Sequence, residues 1–568
     1  MTVIPFGEWR PDANDLNGRH TQLVRNVRPQ SDGYGPFRSL RALTDALPDV
    51  CRGYFLAWQD DGSVAIFAGT STKLYLLNNT TLAWEDVSAG GGTYTVLPAT
   101  AQWEFVQFNN HVIAVQANDD AQVYTLGSSS AFADLGGSPP RAAHVAVVNR
   151  FVVLSGLASN PKRIQWSGLN DPTEWTAGVN FSDFQDLPDG GNVHRVRGGE
   201  LGLILQQNAV RRMVFTQDAD IVFQIDRIAE GRGSLAPYAA VNGADRAFFL
   251  SQQGFVEMTL DGNASLIGAE RVDRTFLQTY DSTAPHLVIG AVDPDRHVVV
   301  WSAKSLAGSE SAFDQLWLYN WALKRWSLIE VSGEYLASLA TPGLTLEGLD
   351  AIAPGTMNVT GAANNGAGLI RIQVADTSPL TDGGYYTLSG IVGTTEANGT
   401  WKIGIVDATH FDLLEDTEGN PSVFTNAYVS GGIVGGSLDA LPFSLDSVST
   451  ATLPALSAAL PSHEIGLFSG DLLEAVLETA EQSAVGRRMF VRGLWPITDA
   501  ADVRGSVGRR ESLTAEVSYT PESTMNVRGY VPLRADTRHA RARVRIPAGT
   551  QWTYATGVEP DAVQRGRR

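Results

Sequence analysis

Short apolar runs, broken every few positions by Gly, Asn, Asp or Ser, recur along most of the chain. SVAIFAG (63–69), HVIAVQA (111–117), RFVVLSG (150–156), ELGLILQQN (200–208) and RHVVVWSA (296–303) are examples. Runs of this length, rich in Val, Ile and aromatics and bounded by turn residues, predict strands. Between 50 and 335 no long stretch repeats with the period of an amphipathic helix. The pattern predicts an all-β chain.

The runs also repeat. LYLLNNTTLAW (74–84) and LWLYNWALKRW (316–326) share a frame in which Leu74, Tyr75, Leu76, Asn78 and Trp84 match Leu316, Trp317, Leu318, Asn320 and Trp326. Weaker copies pair an aromatic or Met with a bulky residue eight or nine positions on: Tyr124/Phe132, Trp166/Trp175, Phe215/Phe223 and Met258/Leu266. The first positions, 75, 124, 166, 215, 258 and 317, are 49, 42, 49, 43 and 59 residues apart. A period of about 40–50 residues with several strands per unit predicts a β-propeller, here of six or seven blades.

Residues 354–436 differ in texture, with dense Gly, Thr and Asn turns around alternating strands. Similar phrases flank them, EGLDAIA (347–353) and SLDALPF (437–443), as though a module had entered one connection. That predicts an inserted Ig-like, β-sandwich module at an exposed loop. The division expected is an N-terminal extended arm or docking segment (1–50), a propeller (51–353), the insert (354–436), a return to the propeller (437–483) and a C-terminal Arg-rich antiparallel β domain (484–568). Ser469 to Glu481 reads either as a helix capped by Ser469 or as a strand, and the all-β context favours the strand. The closing AVQRGRR is expected to be a mobile tail.

Composition narrows the function classes. A length of 568 residues and 43% hydrophobic content exclude wholesale disorder. One cysteine, Cys51, excludes an internal disulfide framework and any multi-cysteine metal cluster. The start has no basic stretch followed by an apolar core, and no run approaches the roughly 20 apolar residues that span a bilayer. A protein made in the cytoplasm, with no membrane segment, is the expectation.

The net charge of −19 is unevenly spread: residues 484–568 hold 15 Arg, no Lys and 8 acids, so this end is +7 and the rest −26. In RARVRI, Arg541, Arg543 and Arg545 alternate with Ala542, Val544 and Ile546, and period two puts the three guanidiniums on one strand face. A solvated strand face is one reading. The sharper one is contact with acidic surface on a neighbouring subunit or adaptor protein.

Catalytic constellations are missing from the sequence. HExxH, G-x-S-x-G, a Walker loop and a strand-bound GxGxxG do not occur, and the nine histidines are scattered. Neither enzymatic activity nor a cofactor is expected. Asp183, Asp186 and Asp189 in FSDFQDLPDGGN are weak metal candidates, since carboxylates in a Gly-rich loop can collect Ca²⁺. Trp166 and Trp175 bracket an Asn-Asp-Pro turn, where they offer either a stacking platform for a glycan or core aromatics closing a hairpin.

Several phrases together carry a family resemblance. RIQWSGLNDPTEWTAG with FSDFQDLPDGG, RIAEGRGSLAPYAAVNGADRAFFLSQQGF (227–255), ERVDRTFL (270–277), LATPGLTLEGLDA with LDALPFSLDS, and IPAGTQWTYATGVEPDAV occur in that order. The set resembles the tail nozzle, or tail hub, proteins of short-tailed double-stranded DNA phages, also described as tail tubular or DNA-stabilisation proteins. The resemblance covers most of 1–350 and 437–568 and leaves out the insert. It implies a structural virion protein, a homo-oligomer of six copies in a ring below the portal and adaptor. Such a ring helps retain packaged DNA and conducts it at ejection, with tail fibre, spike or distal tail proteins as further partners. It implies no catalytic or cofactor residue. An acidic body suits passage of double-stranded DNA without sequence-specific binding, because each basic contact adds binding and hence friction. The alternative is a carbohydrate-binding or glycan-degrading propeller used in host attachment.

Overall fold

The computed structural model describes residues 3–14, 16, 18–60, 62–79, 81–218, 220–243, 245–260, 262–293, 296–309, 311–340, 357–380, 382–416, 419–436, 454–483 and 487–565. The phrases 347–353 and 437–443 lie outside them. The chain forms two compact units, one of them the segment Thr341–Leu453 and the other built mainly from Met1–Asn78, Leu82–Ala340 and Pro454–Arg568.

In the larger unit four-strand antiparallel meanders follow one another. Blade 1 is Tyr54–Trp58, Val64–Gly69, Leu74–Leu77 and Trp84–Asp86. Blades 2 to 6 begin at Glu104–Phe108, Ala142–Val148, Val193–Arg197, Val241–Gly243 and Gly290–Asp293. Blade 7 joins distant segments, in the order Tyr335–Leu339, Ala455–Ala459, Ile465–Leu467 and Arg41–Ala42. The first strands of blades 1 and 7 touch, and the first strands of all seven blades border one cavity. This is a seven-bladed β-propeller.

Its core is a ring of separate clusters, each between two blades. Phe67 of blade 1 meets Tyr124 and Phe132 of blade 2 at ring distances of 5.0 and 5.5 Å. Phe151 and Trp166 of blade 3 close on Phe223 of blade 4 at 5.0 and 5.1 Å. A blade is therefore covered on both faces, which explains the unbroken apolar runs. Val64–Gly69 and Val298–Ala303 are buried at every position.

The outer strand of blade 6, Arg325–Ile329, pairs in parallel with Leu23–Arg25, which pairs with Ala475–Glu478, then His539–Ile546 and Arg504–Arg510. One eleven-stranded sheet thus runs from the propeller into the C-terminal domain. Asn26 fastens the joint: its N–H donates to Leu328 O (2.8 Å), its Nδ2 to Glu474 O (2.9 Å), and its Oδ1 accepts from Glu330 N (2.7 Å). A second sheet, of Val27–Gln30, Gly33–Pro36, Ala555–Arg565, Arg488–Thr498 and Val531–Thr537, completes the domain. Val491, Leu494, Val507, Val531, Val544 and Ile546 belong to the shared apolar core.

Three expectations find their place in the strand order. The first 50 residues, expected as an extended arm or docking segment, supply short strands to both C-terminal sheets and the closing strand of blade 7. The Ser469–Glu481 stretch carries a strand, Ala475–Glu478, as the all-β context predicted. The strand Ala555–Arg565 extends through most of the supposed mobile tail.

The inserted unit is a closed barrel and not a two-sheet sandwich. Its strands are Met357–Asn364, Ile370–Val374, His410–Asp416, Gly399–Asp407, Tyr385–Ser389 and Ile433–Gly436, in that spatial order. Val434 lies opposite both Met357 and Leu388, so the last strand seals the seam. Closure leaves no unpaired edge, which a small sandwich would expose. Ile370, Ile372, Tyr386, Ile403, Phe411 and Leu413 fill the inside.

Candidate functional site

The cavity bordered by the first strands measures about 440 Å³, and its charged lining residues are Glu104, Arg195 and Arg197. In Val193–Arg197 the pairing register shifts between Val193 and Arg195. Such a bulge re-aims side chains. Val193 and Val196 enter the core between blades 3 and 4, while Arg195 and Arg197 line the cavity. Gly198 follows because a Cβ there would lie 2.1 Å from Val147 O. Only glycine permits that approach.

Glu104, at the start of blade 2, accepts from Arg195 Nη2 and lies 2.7 Å from His144 Nδ1. Burial alone would raise its pKa, but Arg195 and His144 together hold the carboxyl below its ordinary range. Arg195 also donates Nη1 to Pro237 O (3.3 Å). Arg197 has no carboxylate partner among the described residues. Its Nε points at Asn242 Oδ1 (3.4 Å), and Asn242 is held by its own Nδ2 bond to Gly198 O (2.6 Å). Desolvation, then repulsion from Arg195, brings the Arg197 pKa down to about 9, so it stays charged at neutral pH. Tyr238 accepts from Gln102 N (3.1 Å), and burial pushes its phenol up to about 12. Burial likewise raises Tyr335, which keeps its proton. The cavity offers cations and hydroxyl donors and no nucleophile paired to a base.

A second polar cluster sits in the C-terminal domain. His539–Ile546 alternates half-buried and buried, so Arg541, Arg543 and Arg545 share one face, as period two predicted. The acids they meet belong to the chain itself. Arg541 Nη1 and Arg543 Nε reach Glu478 at 3.3 and 2.8 Å, and Arg541 Nε reaches Glu481 at 3.1 Å. Arg510 joins Glu481 at 2.8 Å, and Tyr519 donates to Glu478 at 2.8 Å beneath the Arg543 guanidinium. Arg545 bridges Glu474 (2.7 Å) and Glu522 (2.5 Å). Within the chain the three arginines therefore form an internal clamp with Glu474, Glu478, Glu481 and Glu522.

The metal candidates do not converge either. Asp186 is held by Arg163 (2.7 and 2.9 Å), and Asp189 by Arg211 (2.5 Å) and Arg227 (3.2 Å). Asp183 accepts from the N–H of Phe184 (2.9 Å). No group of three His, Cys, Asp or Glu among the described residues is placed to hold a metal. Trp166 and Trp175 are 4% and 5% exposed, with Nε1 donated to Phe181 O and Pro172 O, so neither presents a ring to a glycan. They are core residues.

Sequence reasoning missed Glu104, Arg195 and Arg197. VHRVR carries the same Arg-x-Arg alternation as RARVRI and was the available signal.

No family model and no curated protein matches the chain. Solved structures with some likeness include the extracellular domain of a hybrid two-component system from B. thetaiotaomicron, at 10% identity and TM-score 0.33, covering 62% of this chain. The chain spans only 45% of that protein. Dihydro-heme d1 dehydrogenase NirN shares 12% identity over 70% of this chain and 79% of its own, with TM-score 0.31. The mitotic checkpoint complex shares 10% over 55% and 88%, with TM-score 0.34. At this distance the fold rests on the strand pairing alone.

Proposed function

We propose that the chain is a structural virion protein, a subunit of a ring-shaped tail nozzle or hub below the portal and adaptor of a short-tailed phage. Its role is to help retain packaged DNA and to conduct it at ejection. The sequence resemblance motivates this reading, and the observation that carries it is the eleven-stranded sheet joining blade 6 to the C-terminal domain. A conduit under the pressure of packaged DNA needs subunits that transmit force without hinging. A shared sheet with N-terminal strands woven through it has that property, whereas two domains on a linker move by default.

The test is electron microscopy of the purified chain, alone and with the cognate adaptor ring. Closed rings with an open axis in either sample are the expected result. Dispersed single subunits in both samples would overturn the reading.

A further inference from the structure

We propose that the propeller's axial cavity is a binding site for a small oxyanion, a phosphate or carboxylate group held chiefly by Arg197 and Arg195. The inference stands independently of the ring. Two guanidiniums and one carboxylate are the formally charged groups lining the cavity, so it carries a surplus positive charge inside a chain of net charge −19.

Glu104 cannot neutralise both arginines. Its oxygens are engaged by Arg195 Nη2 and His144 Nδ1. The terminal nitrogens of Arg197 have no acceptor among the described residues, and Arg195 Nε is buried without one. Arg197 is half-buried, and a guanidinium that gives up part of its hydration without a carboxylate partner is costly to keep. Val193 and Val196 supply the strand's contacts to the core between blades 3 and 4, and Arg197 takes no part in that packing. A charge retained at that cost is explained if it meets an anion. The guanidinium fork matches a phosphate or carboxylate with two parallel hydrogen bonds.

The surroundings fit such a ligand. Asn242 is locked so that its oxygen fixes the Arg197 Nε, which leaves the terminal nitrogens free for the cavity. Tyr335 lines the same space with a phenol that has no hydrogen-bond partner among the described residues. A volume of about 440 Å³ lies in the range of small-molecule sites. It is too confined for a folded partner.

Titration calorimetry of the full chain with inorganic phosphate, and separately with succinate, tests the site. At least one anion is expected to bind with a stoichiometry of one per chain. Phosphate alone would indicate a tetrahedral phosphoryl ligand, and succinate alone a carboxylate. Arg197→Gln should weaken binding at least about tenfold, and Arg197→Lys less, since lysine keeps the charge and loses the fork. If circular dichroism finds Arg197→Gln unfolded, Asn242→Ala is read instead, with a loss of about threefold expected from the freed guanidinium. Absence of both heat and a rise in melting temperature with either anion up to about 10 mM would overturn the proposal. Unchanged affinity in the folded variant that is read would overturn it too.

Discussion

Two strands of this protein set arginines two residues apart on one face, and their surroundings differ. On His539–Ile546 each arginine meets a carboxylate, because Glu474, Glu478 and Glu481 lie in and beside the partner strand and Glu522 reaches in from a loop. On Val193–Arg197 two arginines face a cavity that contains one carboxylate, Glu104. Identical local patterns thus serve opposite ends. Where acids are supplied by the neighbouring strand, the charges fasten the fold. Where they are withheld, the charge remains available to something else.

The sharpest way to break this comparison is to remove an acid from the clamp. Glu481 has 1% side-chain exposure and holds Arg510 and Arg541, with His539 Nδ1 at 3.4 Å. Glu481→Ala removes the carboxylate that holds half-buried Arg510 and one of the two that hold Arg541, and is expected to cost about 3 kcal/mol in urea unfolding. A loss below about 1 kcal/mol would mean that the clamp is ornamental to stability.

The next effect belongs to the cavity's one satisfied pair. Arg195→Gln removes a charged partner from Glu104 and is expected to cost about 2 kcal/mol at pH 7, moderated because His144 remains. The pH dependence fixes the cause. In the wild type the folded pKa of Glu104 is depressed, so its stabilising contribution is present above about 4.5 and lost as pH falls through the depressed value. Without Arg195, burial dominates and the folded pKa rises, so the variant does not lose that contribution on acidification. The gap in melting temperature between the two proteins should narrow from pH 7 to pH 3. A constant gap would assign the loss to packing.

Much of the fold was legible along the chain, and the gaps have physical causes. The repeat positions Tyr75, Tyr124, Phe215, Met258 and Trp317 all fall on third strands of blades 1, 2, 4, 5 and 6, and Trp166 ends that of blade 3. The frame was visible because a third strand packs between neighbouring blades and needs bulk at a fixed place. Blade 7 escaped it, since its strands come from residues 41–42, 335–339, 455–459 and 465–467, and no local window spans them. The barrel was unreadable as a barrel, because alternation is the same in a sandwich and closure depends on Val434 pairing with two strands. The site failed for a related reason. A period-two pattern locates a face but not what lies opposite it, so Arg541, Arg543 and Arg545 were placed on one face while the carboxylates of Glu474, Glu478, Glu481 and Glu522 opposite them stayed unread.

Arg197→Gln should behave unlike either change above. It removes a charge with no carboxylate partner, so in phosphate-free buffer it is expected to raise stability by up to about 1 kcal/mol. The unfolding midpoint of the variant against wild type decides it. A loss of several kcal/mol would place Arg197 with the clamp arginines and erase the distinction between the two strands.

The smallest effect tests where the clamp ends. The Arg545 side chain is 21% exposed and its partners Glu474 and Glu522 are 45% and 39% exposed, against 3% or less for Glu478 and Glu481. The same strand therefore runs from a desolvated pair to a solvated one within four residues. Side-chain hydrogen bonds to Glu522 and then Glu474 raise the Arg545 pKa, yet solvent screens the pair. Arg545→Ala is expected to cost about 0.5 kcal/mol at low salt and less at about 1 M NaCl, where charges are screened over about 3 Å. Urea unfolding midpoints at the two salt concentrations measure this. A loss above about 2 kcal/mol that salt does not reduce would show Arg545 acting as a buried member of the clamp, with its bidentate geometry outweighing its exposure.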